Sequence, residues 1–166
     1  MSKTTNQIRN LTMMALFVAI EIILLVTPFG YLRIGPLSAT LMHVPVIVCA
    51  CVMSTKFGAF LGLVFGITSV INATMAPTIT SFAFSPFIEI GGFQSLIVAI
   101  VPRILLGVIA GYLYRFLLKK SFSKTKSAAI SAGVATCLHT IMVLGLIILF
   151  YAVPYAEAIG IANSAL

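Results

Sequence analysis

Residues 94–118 read QSLIVAIVPRILLGVIAGYLYRFLL. Apart from Arg103 and Arg115 this stretch carries no charge. It is also long enough for a helix to cross the roughly 30 Å hydrocarbon core of a bilayer, which takes about 20 residues. Similar apolar blocks recur along the chain. Of its 166 residues 61% are hydrophobic and 8% charged, and the mean hydropathy is +1.19. That is too little charge to cover a water-facing surface. In lipid the backbone must satisfy its own hydrogen bonds, so the blocks are expected to be helices. The alternation over about ten residues that marks a membrane barrel is absent. The expected fold class is all-α, a polytopic membrane helix bundle forming one domain over residues 1–166.

The net charge of +7 raises the possibility of nucleic-acid binding, but its placement argues for a membrane. Lys3 and Arg9 precede the first block, Lys56 lies in a short break, and Arg115, Lys119, Lys120, Lys124 and Lys126 cluster around another. If the blocks cross alternately, all three places lie on one side. This is the positive-inside pattern, and it puts the N-terminus in the cytoplasm. Arg33 and Arg103 fall outside it. The first block carries Glu21 and lacks a small-x-small cleavage site, so it reads as a first span and not as a signal peptide. Cys49, Cys51 and Cys137 lie inside apolar blocks without CxxC spacing; they are expected to be packing residues, with no disulfide and no metal site.

Five spans are expected: about Leu11–Val26, Ser38–Met53 (kinked at Pro45), Phe57–Asn72, Gln94–Leu118 and Ser127–Tyr151. Thr27-Pro28-Phe29-Gly30 is a turn signal, and a loop from Tyr31 to Leu37 follows it. Ala73 to Phe93 is the longest non-periodic stretch. A loop of that length is usually functional, and its apolar character lays it across the protein. A further helix is expected to start at about 155–166. The sequence is expected to be a C-terminally shortened form of a six-span protein.

Gly58, Gly62 and Gly66, with Gly107 and Gly111, make smooth faces on which helix backbones approach closely; packing within the chain is the plain reading. Ala15 and Ala19 form an AxxxA pair, read from spacing as internal packing or as a partner-docking face. Ionisable groups at membrane depth are costly and usually face a cavity or a partner. For Arg103 two readings stand. One is an anchor for an anionic ligand in an outward pocket, and the other is a structural pair with Glu89 or a snorkelling side chain. Glu21 binds a polar ligand, is protonated, or pairs with an arginine. His43 is a ligand contact or a structural histidine, and His139 is read as structural. Ser38, Thr40, Asn72, Thr74, Ser81 and Gln94 supply neutral polar groups at the outer span ends. Tyr31, Phe82, Phe84, Phe87 and Phe93 supply aromatic surface there, as pocket lining or as a membrane belt. The candidate substrate-binding residues are Arg103, His43, Asn72, Ser38, Thr40, Phe84 and Glu89.

There is no GxxxxGK[ST] phosphate loop, no HExxH and no GxSxG, so no catalytic residue is assigned. An intramembrane Ser69–His139 pair has no supporting context. Inverted repeats are not evident.

RIGPLSATLMHVPVIV (Arg33–Val48), KFGAFLGLVFGITSVINATMAPTITSFAFSPF (Lys56–Phe87) and SLIVAIVPRILLGVIAG (Ser95–Gly111) together resemble the substrate-binding S components of energy-coupling factor (ECF) vitamin transporters. They are most similar to the pantothenate-type S components. The resemblance covers about residues 11–150 and rests on the order and combination of the segments. It implies six helices, cytoplasmic termini, and an outward pocket closed by the loops after spans 1, 3 and 5. It also implies an AxxxA face, matched by Ala15 and Ala19, that docks onto a transmembrane T subunit carried by two ATPases. On that basis the chain is expected to be a multi-pass bacterial plasma-membrane subunit and no enzyme. It would have no cofactor of its own, the partner ATPases binding ATP and Mg. Pantothenate is the expected substrate, with pyridoxine or hydroxymethylpyrimidine as the alternative. The rivals from other classes are a ligand-free structural or assembly protein and an intramembrane enzyme.

Overall fold

The computed structural model describes residues 3–28, 30–34, 37–158 and 160; for 3, 32–34 and 37–39 the backbone alone is described. Along the chain run α1 (Lys3–Val26), a hairpin of β1 (Tyr31–Ile34) and β2 (Leu37–Thr40), α2 (His43–Val52) and α3 (Thr55–Met75). A 3-10 turn at Ser81–Ala83, α4 (Phe93–Lys119) and α5 (Lys124–Ala158) follow. Four helices, α1, α3, α4 and α5, are long and apolar enough to cross a membrane. Large apolar side chains stand exposed on each of them, including Ile23, Phe60, Val101, Ile141 and Leu149. In water such a surface would be a liability; in lipid it is the outer wall of the bundle.

The second expected span begins later than its composition indicates. Residues 37–40 are extended and pair antiparallel with β1, Tyr31 opposite Thr40 and Ile34 opposite Leu37. The Leu41 N–H continues the ladder to the Gly30 carbonyl at 3.2 Å, and the Thr40 hydroxyl accepts from the Met42 N–H at 3.1 Å. Backbone groups used in this way are lost to a helix, so α2 starts only at His43. Its ten residues reach about 15 Å, roughly half the hydrocarbon core. Pro45 does not kink α2. It is the third residue of the helix, in the first turn, where a missing N–H costs nothing.

The glycine ridge of α3 packs against α4. A Cβ on Gly62 would run into the Arg103 carbonyl, one on Gly107 into the Gly58 carbonyl, and one on Gly66 would sit 3.0 Å from the Ile100 Cα. The two backbones touch, as small residues in membrane helices allow. At the other end of this helix pair Arg115 ties three elements together. It donates to the Gly111 carbonyl at 2.7 Å, and to the Ala50 carbonyl at the end of α2 and the Thr55 hydroxyl at 3.1 Å each. Carbonyls near a helix C-terminus lack intrahelical partners, and a guanidinium satisfies them well.

Helix α5 breaks at Tyr151 (φ −136°, ψ 28°). The cause is Pro154, which removes one N–H and clashes with the carbonyl four residues back. The helix resumes at 152 and runs to Ala158; 159 and 161–166 lie outside the described residues. One core cluster joins Met14 and Phe17 of α1 to Met42, which precedes α2, Val46 of α2, Leu61 and Phe65 of α3, and Leu106 of α4. A second, under the loop after α3, joins Phe82, Ala83, Val98, Ile147 and Tyr151. Cys49 is buried in the first cluster. Cys137 instead points outward, because on α5 it lies off the face that carries Ala135 and His139.

Candidate functional site

The site is built around one residue pair in α4. Pro102 has no N–H, so the Val98 carbonyl one turn back has no helical partner. The neighbouring Arg103 fills that vacancy, donating from Nη1 to the Val98 oxygen at 2.6 Å. The guanidinium is thereby folded back along its own helix, about 15 Å from the Phe93 end. It lies over the rings of Phe84 (5.1 Å) and Phe65 (5.5 Å), an arrangement favourable for a cation. Arg103 is only 5% exposed, and its Nε has no partner. The contact of Gly62 with the Arg103 carbonyl fixes the backbone beneath it.

Beside Arg103 opens a cavity of about 590 Å³. Every element except α1 contributes to its wall. Tyr31 and Thr40 come from the hairpin, His43 from α2, Ser69 and Asn72 from α3, and Thr136, His139 and Thr140 from α5. The loop after α3 adds Thr78, Thr80, Ser81 and Phe84. The Tyr31 hydroxyl and Ser69 Oγ are hydrogen-bonded at 3.1 Å, which ties the hairpin to α3. The loop is held down by Ser95, whose Oγ donates to the Phe82 carbonyl at 2.7 Å and accepts from the Tyr151 hydroxyl at 2.7 Å.

Five of the residues expected at a binding site, Arg103, His43, Asn72, Thr40 and Phe84, thus converge on one cavity. Glu89 does not. It is exposed in the loop and lines no part of the cavity, because the loop turns residues 81–85 inward and carries 87, 89 and 90 outward. The side chain of Ser38 lies outside the described residues; its backbone pairs with Arg33 in the hairpin. Glu21 is fully buried with both carboxylate oxygens unpartnered, and it too is absent from the lining. The chain's remaining carboxylate, Glu157, is exposed. No acidic side chain therefore lines the cavity, and among the described residues its one fixed charge is the guanidinium.

His139, expected to be structural, is a wall residue whose Nε2 has no partner. Ser69 and His139 share the cavity, but the Ser69 hydroxyl is bonded to Tyr31, so no activated nucleophile is assembled. Ala15 and Ala19 stand exposed on α1, on the same stripe as Leu11, Ile22 and Val26 and opposite buried Met14, Phe17 and Glu21.

Residues 9–166 match the family model described as "ECF transporter, substrate-specific component". The chain belongs to this family. The pantothenic acid transporter PanT of Lactococcus lactis subsp. cremoris (strain MG1363) is 33% identical over 149 residues, covering 86% of this chain and 74% of that protein. The pantothenate transporter PanT of Leuconostoc mesenteroides subsp. mesenteroides is 26% identical over 169 residues, covering 96% and 78%. The architecture suits a substrate-specific component: a multi-pass membrane protein with a cavity lined by polar and aromatic residues among its helices, and no catalytic constellation among the described residues.

Proposed function

We propose that this chain is the substrate-binding subunit of an ATP-driven vitamin importer and that its ligand is pantothenate. The observation that supports the reading is a buried guanidinium, its Nε unpartnered, in the wall of a cavity that no side-chain carboxylate lines. A buried charge without a counter-charge is costly, and a ligand carboxylate supplies the missing partner through charge-assisted hydrogen bonds. Phe84 and Phe65 keep water from that contact, which strengthens it. The volume lies in the range of small-molecule sites. The hydroxyls and amide of pantothenate match His43, Asn72, Thr40 and Ser38. The printed names of both relatives support the same vitamin. Pyridoxine and hydroxymethylpyrimidine carry no carboxylate and would leave Arg103 unpaired.

Family membership supports the rest of the cycle. The vitamin is captured outside the cell and delivered by reorientation of this subunit against a transmembrane T subunit. Two partner ATPases bind ATP and Mg and supply the energy. The chain itself is no enzyme and carries no cofactor or metal. Ala15 and Ala19 give α1 a flat, open face for the T subunit. The basic clusters support a cytoplasmic N-terminus in a bacterial plasma membrane.

Reconstitution of the full-length subunit with its T subunit and ATPases in liposomes tests this. Radiolabelled pantothenate should enter only with ATP and Mg on the ATPase side, and unlabelled pantothenate should compete where pyridoxine and hydroxymethylpyrimidine do not. ATP-dependent uptake blocked by a neutral vitamin, or no uptake, contradicts the proposal.

A further inference from the structure

We infer that His139 is a second anchor for the ligand's carboxylate, working beside Arg103, so that the ligand enters the cavity acid end first. The inference rests on the pantothenate reading above and adds a residue and an orientation to it. His139 is 9% exposed, lines the cavity, and has no partner for Nε2. Buried polar atoms are nearly always bonded, so an unpartnered one on a residue in the cavity wall is a candidate contact for a ligand.

The geometry places this nitrogen at the charged end. The His139 ring lies 6.3 Å from the Phe65 ring, the same ring that the Arg103 guanidinium covers at 5.5 Å. Phe65 is fully buried, and both nitrogen-bearing groups pack against it. Both residues lie well inside their helices, whereas Asn72 lies near the end of α3 and Thr78 and Ser81 belong to the loop that follows it. A carboxylate has about four acceptor sites and can take an Arg103 Nε–H and a His139 Nε2–H together. The hydroxylated end of the ligand then faces Asn72 and the loop.

Two ligands of one skeleton separate this role from a packing role: pantothenate and its neutral alcohol, pantothenol. Equilibrium binding of each to the detergent-purified full-length protein should show a preference for the acid. In His139→Ala the acid should weaken by roughly ten- to hundredfold while the alcohol changes less than about threefold. His139→Gln, which keeps an N–H donor, should recover most of the preference. The acid-to-alcohol ratio does not depend on how much of a preparation is folded, and His139→Leu replaces the alanine variant if that protein does not accumulate. Equal weakening of both ligands, or no change in either, overturns the role of His139. Failure of the wild-type protein to bind pantothenate overturns the underlying reading, and this inference with it.

Discussion

Replacing Pro102 by alanine should strengthen the helix and weaken the ligand site at once. In α4 the Val98 carbonyl has lost its helical donor to the proline ring, and Arg103 takes its place at 2.6 Å. An alanine restores the N–H, and that hydrogen bond is worth about 0.5–1.5 kcal/mol net. It also relieves part of the cost of about 3 kcal/mol that proline imposes inside a helix. The variant should therefore unfold at or above the wild-type temperature. The ligand site moves the other way. The bond holding the guanidinium is charge-assisted and worth about 1.5–3 kcal/mol. A competing donor on the same carbonyl that removes about half of that hold makes Arg103 mobile, and a loss of about 1.4 kcal/mol is tenfold in affinity. Thermal unfolding in detergent and equilibrium binding of pantothenate, on the same preparations, read both signs. A lower melting temperature with unchanged affinity would refute the reasoning, because Pro102 would then only be packing.

Gly62→Ala drives a methyl group into the Arg103 backbone, with the Ile104 Cα 3.1 Å away, and overpacking of this kind costs about 1–3 kcal/mol. Its melting temperature should fall, while Gly145→Ala, inside α5 with nothing within 4 Å of the added Cβ, should melt at or slightly above the wild type. Ser95→Ala strands the Phe82 carbonyl and the Tyr151 hydroxyl at a cost of about 1–3 kcal/mol and unties the loop over the cavity. A chase experiment should show faster release of bound pantothenate. Ala15→Leu with Ala19→Leu should abolish co-purification with the T subunit and leave pantothenate affinity unchanged, since neither residue touches the cavity.

The two charged or ionisable residues expected at a ligand site that do line the cavity were legible by how badly they fit a bilayer. Arg103 and His43 are expensive at membrane depth, and the helices gather them at one cavity with Asn72, a neutral polar group at an outer span end; Glu21 is as expensive but lies outside that cavity. His139 is equally expensive but stood among apolar neighbours, and its position on α5 gave no sign of facing a cavity. The signal was available in the helical period, since Thr136, His139, Thr140 and Val143 recur at spacings of three and four on one face. Pro102 was visible as a residue but not as a device, because its effect depends on which side chain reaches the carbonyl it frees. The hairpin at 31–40 was read as a loop and a helix start. Its strands are four residues each, too short for a period-2 pattern, and ladder bonding overrode the apolar run into α2. Glu89 was misplaced because the path of an irregular loop follows from its contacts, such as Ser95 to Phe82, and not from its composition.

Titration of pantothenate into the purified full-length protein, beside Arg103→Gln, tests the central claim most directly. The account predicts saturable binding to the wild type that weakens roughly thirtyfold or more in the variant, the loss expected when one partner of a buried charge pair is removed. Binding of equal strength in both proteins, or none in the wild type, would contradict it.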